Sequence, residues 1–291
     1  MRRGGWTASL ALVAAALLFG STFLVVQDAV ESAEPLPFLA VRFAIGTAVL
    51  VPLALRRGTG DLRTPGLVRA GVVAGLALTA GYVLQTIGLQ YTTSSVSAFL
   101  TYLLVVFVPL IVAVRTRRLP PWATVAGVSS AVAGLALLGG GPEVGSGRGE
   151  LLTLGCALAF AIHLLALAEA APRFPVAALS AVQFAVVAGV LAVPGLLAGG
   201  YRLDAGAWAA AAYTGIAVTA VGLGLQAWGQ RRVTATRAAL LLLIEPVSAA
   251  VLGFAAGERL GAVGGAGAAL ILFGILVSEL AVPVTPRPED A

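Results

Sequence analysis

The strongest constraint on this chain is a succession of apolar stretches, each long enough to cross a bilayer. At about 20 apolar residues per helical span, ten can be marked: residues 7–26, 36–55, 66–88, 94–114, 122–139, 150–170, 177–198, 206–229, 235–256 and 262–281. The breaks between them are short and carry turn residues and charges, as in GGGPEVGSGRGE at 139–150. With 59% hydrophobic and 11% charged residues among 291, and a mean hydropathy of +0.99, the chain lacks the charge to cover a soluble surface. The expected class is an all-α polytopic membrane protein with ten transmembrane helices.

The segments also repeat. Gly81, Leu84, Gln85, Gly88 and Thr93 recur as Gly222, Leu225, Gln226, Gly229 and Thr234, all 141 positions further on. The same offset carries Phe19 onto Phe160, Arg42-Phe43 onto Gln183-Phe184 and Arg118-Leu119 onto Arg259-Leu260. One offset that serves glycines, glutamines and aromatics together predicts a duplicated chain, with copies at 1–141 and 142–291. Each copy holds five spans, an odd number, so the two enter the membrane in opposite directions. Inverted repeats place a substrate site near the midplane at their interface, and rocking of one half on the other gives alternating access. Pro109 and Pro246 stand 137 apart, which predicts about one extra helical turn in the fourth span. Met1-Arg2-Arg3 before an apolar run resembles a signal peptide, but that run is long enough to span and belongs to the repeat, so a retained first helix is expected.

Composition removes several functions. All eighteen basic residues are Arg, and neither Lys nor Asn occurs, so there is no P-loop lysine and no Schiff-base lysine. One His, His163, and one Cys, Cys156, exclude an HExxH zinc helix, a CxxC site and an intramolecular disulfide. No cofactor is implied. A sequence pI near 10.1 would suit nucleic acid, but the arginines sit in short clusters between apolar runs, as the positive-inside rule places them in loops. With the N-terminus inside, Arg2, Arg3, Arg56, Arg57, Arg63, Arg69, Arg115, Arg117, Arg118, Arg173, Arg231, Arg232 and Arg287 are cytoplasmic, with Arg237 just inside the ninth span. Only Arg148, Arg202 and Arg259 lie outside, while Asp28, Glu31 and Glu34 crowd the first outer loop. Both termini are therefore expected in the cytoplasm; the Arg-only, Ala/Gly/Val-rich usage suggests a GC-rich bacterial genome, and the expected location is the bacterial cytoplasmic membrane. Gly71/Gly75 and Ala262/Ala266 are small-residue pairs suited to close helix packing.

FGSTF at 19–23, AVRF at 40–43, TATRAALLLLIEPV at 234–247 and GERL at 257–260 together resemble the EamA-type, ten-helix branch of the drug/metabolite transporter superfamily, over essentially the full chain. The resemblance implies two five-helix repeats and a central cavity lined by spans 1, 3, 4, 6, 8 and 9. It also implies secondary transport, often export, of amino acids, metabolites or drugs, by a monomer or homodimer that meets the lipid bilayer, a small-molecule substrate and, with proton coupling, protons. Two departures stand out: the first copy carries RTRRL at 115–119 in place of a GER motif, and its fourth span has Val108-Pro109 where the ninth has Glu245-Pro246.

Glu245 lies about eleven residues into the ninth segment, so about 16 Å deep, where an ionisable residue is a functional candidate by default. Pro246 lacks a backbone N–H and obstructs the carbonyl of Leu242, so a bent helix beside a carboxylate is expected. A substrate or proton site and a structural carboxylate, bonded to helix backbone or an arginine, both fit. Arg42, six residues into the second segment, could reach Glu245 or a substrate carboxylate, or snorkel to the interface. His163 could couple protons or contact substrate, or serve as a neutral helix–helix contact. Phe19, Ser21, Thr22, Tyr82, Ser97, Thr101 and Tyr102 offer the aromatic faces and hydroxyls of a ligand pocket; Phe19, Thr22, Tyr82, Thr101, Tyr102 and His163 are the candidate lining. Gln85 and Gln226 are expected to bond between helices, and Trp6, Trp122, Trp208 and Trp228 to anchor span ends. The alternative function, an integral-membrane enzyme on a lipid-linked substrate, needs clustered acids or metal ligands at one face, and here the acids are scattered.

Overall fold

A computed structural model of the chain describes residues 2–22, 25–26, 33–56, 64–92, 94–138, 147–255 and 261–281. Asp28, Glu31, Arg57, Arg63, Arg259 and Arg287, used above for topology, lie outside the described residues. Among the described residues every regular element is a helix, the form that satisfies each backbone group within one segment when the solvent is lipid.

Seven of these helices are long and apolar enough to cross a membrane, and three shorter apolar ones (Trp6–Gly20, Trp122–Leu138 and Ala262–Ser278) bring the spans to ten. In chain order, span 1 is Arg2–Gly20, span 2 Pro35–Arg56, span 3 Leu67–Leu89, span 4 Ser94–Tyr102 with Leu104–Thr116, and span 5 Trp122–Leu138. Span 6 is Arg148–Ala170, span 7 Val176–Leu197, span 8 Ala205–Gly229, span 9 Ala235–Leu242 with Ile244–Ala255, and span 10 Ala262–Ala281. Side-chain caps set two of the starts: Asp204 Oδ1 accepts from the Ala207 N–H at 2.7 Å before span 8, and Thr234 Oγ1 from Arg237 N–H at 3.4 Å before span 9.

Helix pairing maps onto itself when the two sets of five are exchanged. Span 5 packs on span 10, span 2 on span 7 and span 4 on span 9; the pair of spans 3 and 6 has its counterpart in 8 and 1, 3 and 7 in 8 and 2, and 1 and 9 in 6 and 4. Glycines show the same exchange atom by atom. A Cβ on Gly81 would strike the Phe160 ring, and one on Gly222 the Phe19 ring. Gly127 and Gly134 of span 5 abut the carbonyls of Gly274 and Gly267 in span 10. Gly71 and Gly75 seat span 3 on Val182, Gln183 and Val186 of span 7. In span 10, by contrast, Ala262 and Ala266 are exposed; the small residues that make its close contact are Gly267 and Gly274, because they point at span 5.

Spans 4 and 9 bend at corresponding places. Leu103 and Leu243, 140 apart, have nearly the same backbone (φ −61°, ψ −7° and φ −64°, ψ −5°). Each N–H bonds three residues back, to Leu100 and Leu240, instead of four. The extra turn expected in span 4 is therefore absent: the two prolines do not occupy equivalent positions, Pro246 lying three residues past its bend and Pro109 six. Span 8 departs from regularity more strongly, running as a π-helix over Thr214–Leu223, whereas its counterpart, span 3, is α-helical throughout.

Trp6 and Trp122 are 71% and 76% exposed at the starts of spans 1 and 5, as lipid-facing anchors would be. Trp228 lies under the Arg232 guanidinium, 5.6 Å from ring centroid to Cζ.

Candidate functional site

The polar side chains buried at mid-depth converge between the two sets of five helices. Arg42 does not snorkel: it is 5% exposed and turns inward from span 2. Its Nε donates to Thr219 Oγ1 in the π-helix of span 8 at 3.0 Å, and one terminal nitrogen donates to the Tyr82 hydroxyl at 3.4 Å. The guanidinium also lies over the rings of Tyr82 (5.3 Å) and Phe43 (5.7 Å), where the ring quadrupole attracts a cation. The π-helix makes this contact possible. Gly215, without a side chain, sits against Ile45 and the Arg42 carbonyl, so span 8 approaches closely enough for Thr219 to reach Arg42. π-turns recur at functional sites.

Around Arg42 runs an aromatic wall. Tyr82 meets Phe43 edge-to-face at 5.2 Å and Phe160 at 5.4 Å, and Phe43 meets Phe184 at 5.8 Å. Such pairs add about 0.5–1.5 kcal/mol beyond their burial, enough to hold the Tyr82 ring in one orientation.

Glu245 closes the opposite side. It is half-buried, two residues past the span 9 bend. The Tyr102 hydroxyl of span 4 lies beside its carboxylate, and the Arg42 charge acts on it from beyond ion-pair distance. Its backbone is pinned by span 1: Ser248 Oγ donates to the Glu245 carbonyl at 2.8 Å and to the Ala16 carbonyl at 3.5 Å, and any side chain at Gly20 would overlap both Ser248 and the Glu245 carbonyl. Arg42, Tyr82, Tyr102, Thr219 and Glu245 each lie seven residues or more from either end of their spans, so about 10 Å or more from both ends.

The other candidates are placed differently. Thr101 Oγ1 accepts from Gln85 Nε2 at 3.2 Å and lies 3.9 Å from Cys156 Sγ, joining spans 3, 4 and 6. Thr22 gives its hydroxyl to the Phe19 carbonyl at 2.6 Å and so completes the end of span 1. Phe19 packs on Gly222. Ser21 bonds Tyr213 Oη at 2.7 Å. His163 is 3% exposed and pairs with Gln183 Oε1 in span 7 at 2.9 Å, with Gln183 Nε2 donating to Ser180 at 3.5 Å. That is an interhelical contact between spans 6 and 7. Gln226 bonds Gln230, four residues on and just past the end of span 8, and it is Gln230 that bonds across, to the Leu164 carbonyl at 2.8 Å. Ser97 is buried with its hydroxyl unpartnered.

Sequence reasoning missed Phe43, Phe160 and Thr219. The repeat offset from Phe19 pointed to Phe160, and Phe43 is the neighbour of Arg42. Nothing signalled Thr219, because its repeat counterpart is Leu78 and a π-helix leaves no trace in composition.

A cavity of about 390 Å³ opens below this cluster, between the ends of spans 4 and 6 and the start of span 9. It is lined by Val112, Thr116, Leu165, Ala168, Val233 and Ala235 among others. Across its rim Arg115 of span 4 donates to Glu169 of span 6 at 2.7 Å, both side chains about 60% exposed.

The EamA-like transporter family matches residues 6–140 and again 147–280. The chain belongs to that family. This EamA-like protein is 34% identical over 157 residues to an uncharacterized transporter of Archaeoglobus fulgidus, covering 54% of this chain and 47% of the relative. It is 27% identical over 184 residues to the uncharacterized transporter YcxC of Bacillus subtilis, covering 62% of this chain and 59% of that one. The matches thus span about half the length of these relatives. One solved crystal structure, described only as that of a protein, matches with a TM-score of 0.81 over 94% of this chain and 96% of its own, at 24% identity; that likeness concerns the fold alone. Membership of the EamA-like family agrees with the multi-pass membrane architecture described above.

Proposed function

We propose that the chain moves a small organic solute, of the amino acid, metabolite or drug class, out of the cell by alternating access. The site would be the Arg42–Tyr82–Tyr102–Glu245 cluster, at the interface of two inverted five-helix repeats, residues 1–141 and 142–291. The observation that carries this reading is the convergence at mid-depth of polar groups from both sets of helices: Arg42, Tyr82 and Tyr102 from one, Thr219 and Glu245 from the other. A guanidinium and a carboxylate in a membrane interior are costly, and chains keep them there for transport or coupling. The aromatic wall of Phe43, Tyr82 and Phe160 supplies the apolar lining that solute pockets use.

Glu245 is the proposed proton-coupling group, since one carboxylate in reach of a tyrosine hydroxyl can exchange a proton as the cavity turns from one side to the other. The membrane is a bacterial cytoplasmic one, with both termini inside, supported by the distribution of arginines among the loops. Purified protein in proteoliposomes should move at least one solute from a panel of amino acids, nucleosides and organic acids, faster under a proton gradient. No flux from well-folded protein across that panel would overturn the proposal.

A further inference from the structure

Arg42 is a buried cation with donors to spare. A guanidinium carries five N–H donors and stays charged at any pH a cell meets. Two are used in the structure, one by Thr219 and one by Tyr82 at the long distance of 3.4 Å. Among the described residues no carboxylate lies within ion-pair distance of it; the ion pair that does form, Arg115 with Glu169, is at the span ends. Glu245, the nearest opposite charge at this depth, stands off beside Tyr102.

We infer that Arg42 reads an anionic end of the solute, and that this end is a single carboxylate. The inference rests on the cluster being the transport site. Because Nε is committed to Thr219, the side-on fork of the guanidinium is closed, and the two terminal nitrogens present the end-on one, which suits a planar two-oxygen anion. The weakly held Tyr82 hydroxyl can turn its donor to the same anion. Its ring, with Phe43 and Phe160, forms the adjoining wall, so the body beyond the carboxylate is apolar or aromatic. A doubly charged phosphate fits less well: there is one cation, and Glu245 faces it, so a second negative charge would meet a carboxylate instead of an arginine.

The test is selectivity, not rate, because a structural role for Arg42 changes every solute alike. Counterflow in proteoliposomes, with thermal-shift titration in detergent, would compare 3-phenylpropanoate with 3-phenylpropanamide and phenylalanine with phenylalaninamide. A charge-assisted hydrogen bond contributes about 1.5–3 kcal/mol, so the wild type should favour each carboxylate over its amide by about tenfold or more. Arg42→Gln should bring the ratio close to unity, and Arg42→Lys, which keeps the charge without the fork, should retain part of it. If Arg42→Gln does not fold, Tyr82→Phe should still lower the ratio several-fold. An amide handled as well as its carboxylate by the wild type, or a preference that survives Arg42→Gln or (where that variant is unfolded) Tyr82→Phe, would overturn the inference while leaving transport intact. Absence of flux for every solute would remove the transport reading itself, and this inference with it.

Discussion

Two residues that looked equivalent as proton-coupling candidates, Glu245 and His163, are in different situations. Glu245 faces Tyr102 and, across the site, Arg42, and its backbone is held by Ser248 and the close approach of Gly20. Glu245→Gln is nearly isosteric and leaves that backbone lock untouched. The variant should melt within a few degrees of wild type, while the loss of a charged hydrogen-bond partner should slow transport about ten- to hundredfold. If Glu245 carries the proton, the residual flux should also lose its pH dependence between mildly acidic and mildly alkaline buffer. An unchanged pH profile in proteoliposomes would assign the carboxylate to structure. His163 should behave in the opposite way. Its Nε2 is bound to Gln183 between spans 6 and 7, so His163→Leu strands a buried amide oxygen and should cost about 1–3 kcal/mol of stability. The pH profile of transport should not move. A flattened profile with unchanged stability would instead place His163 in coupling.

At the scale of helices, the contacts that define the architecture are glycine against aromatic ring, made twice: Gly81 on Phe160 and Gly222 on Phe19. A methyl group at either glycine has nowhere to go unless the ring moves, so Gly81→Ala and Gly222→Ala should each cost about 1–3 kcal/mol, the usual penalty of overpacking. Combining Gly81→Ala with Phe160→Leu should recover part of it, because residues in contact are not additive; denaturation of the four proteins in detergent closes that cycle. Full additivity would mean the two sites do not touch. The repeat made the glycines legible beforehand, since one offset links both members of both pairs. The small-residue pair Ala262/Ala266 misled for the opposite reason: spacing names a face without saying which way it points, and only the packing of span 10 on span 5 selects Gly267 and Gly274. The bends are a third case. Pro246 suggested one in span 9, yet span 4 bends at Leu103 with no proline three residues later. Neither bend therefore follows from a proline at a fixed distance, and the π-helix of span 8, from which Thr219 meets Arg42, has no mark in composition either. Glu245 and Arg42 could be found from the sequence because charges are scarce in apolar runs. Thr219 and Phe43 could not, because threonine and phenylalanine are ordinary there.

For the whole molecule, rocking one half on the other would mean that the helix ends around the cavity of spans 4, 6 and 9 do not stay where they are. The Arg115–Glu169 pair spans that rim and joins the two sets of five. Exposed pairs of this kind contribute about 0–1 kcal/mol, too little to lock the molecule, so a solute that favours another state by a few kcal/mol can shift the population. Ala168 lines the cavity and is half-buried, while the native Cys156 is fully buried and should stay unreactive. With Ala168→Cys, a membrane-impermeant maleimide should label the protein from the cytoplasmic face, in inside-out vesicles, and not in right-side-out ones. Labelling from the outer face alone would reverse the orientation derived from the arginines. Adding a transported solute should then change the labelling rate several-fold, slower if the solute closes this side and faster if it opens it. A rate indifferent to saturating solute, in vesicles that carry out flux, would mean that this cavity takes no part in the transport cycle.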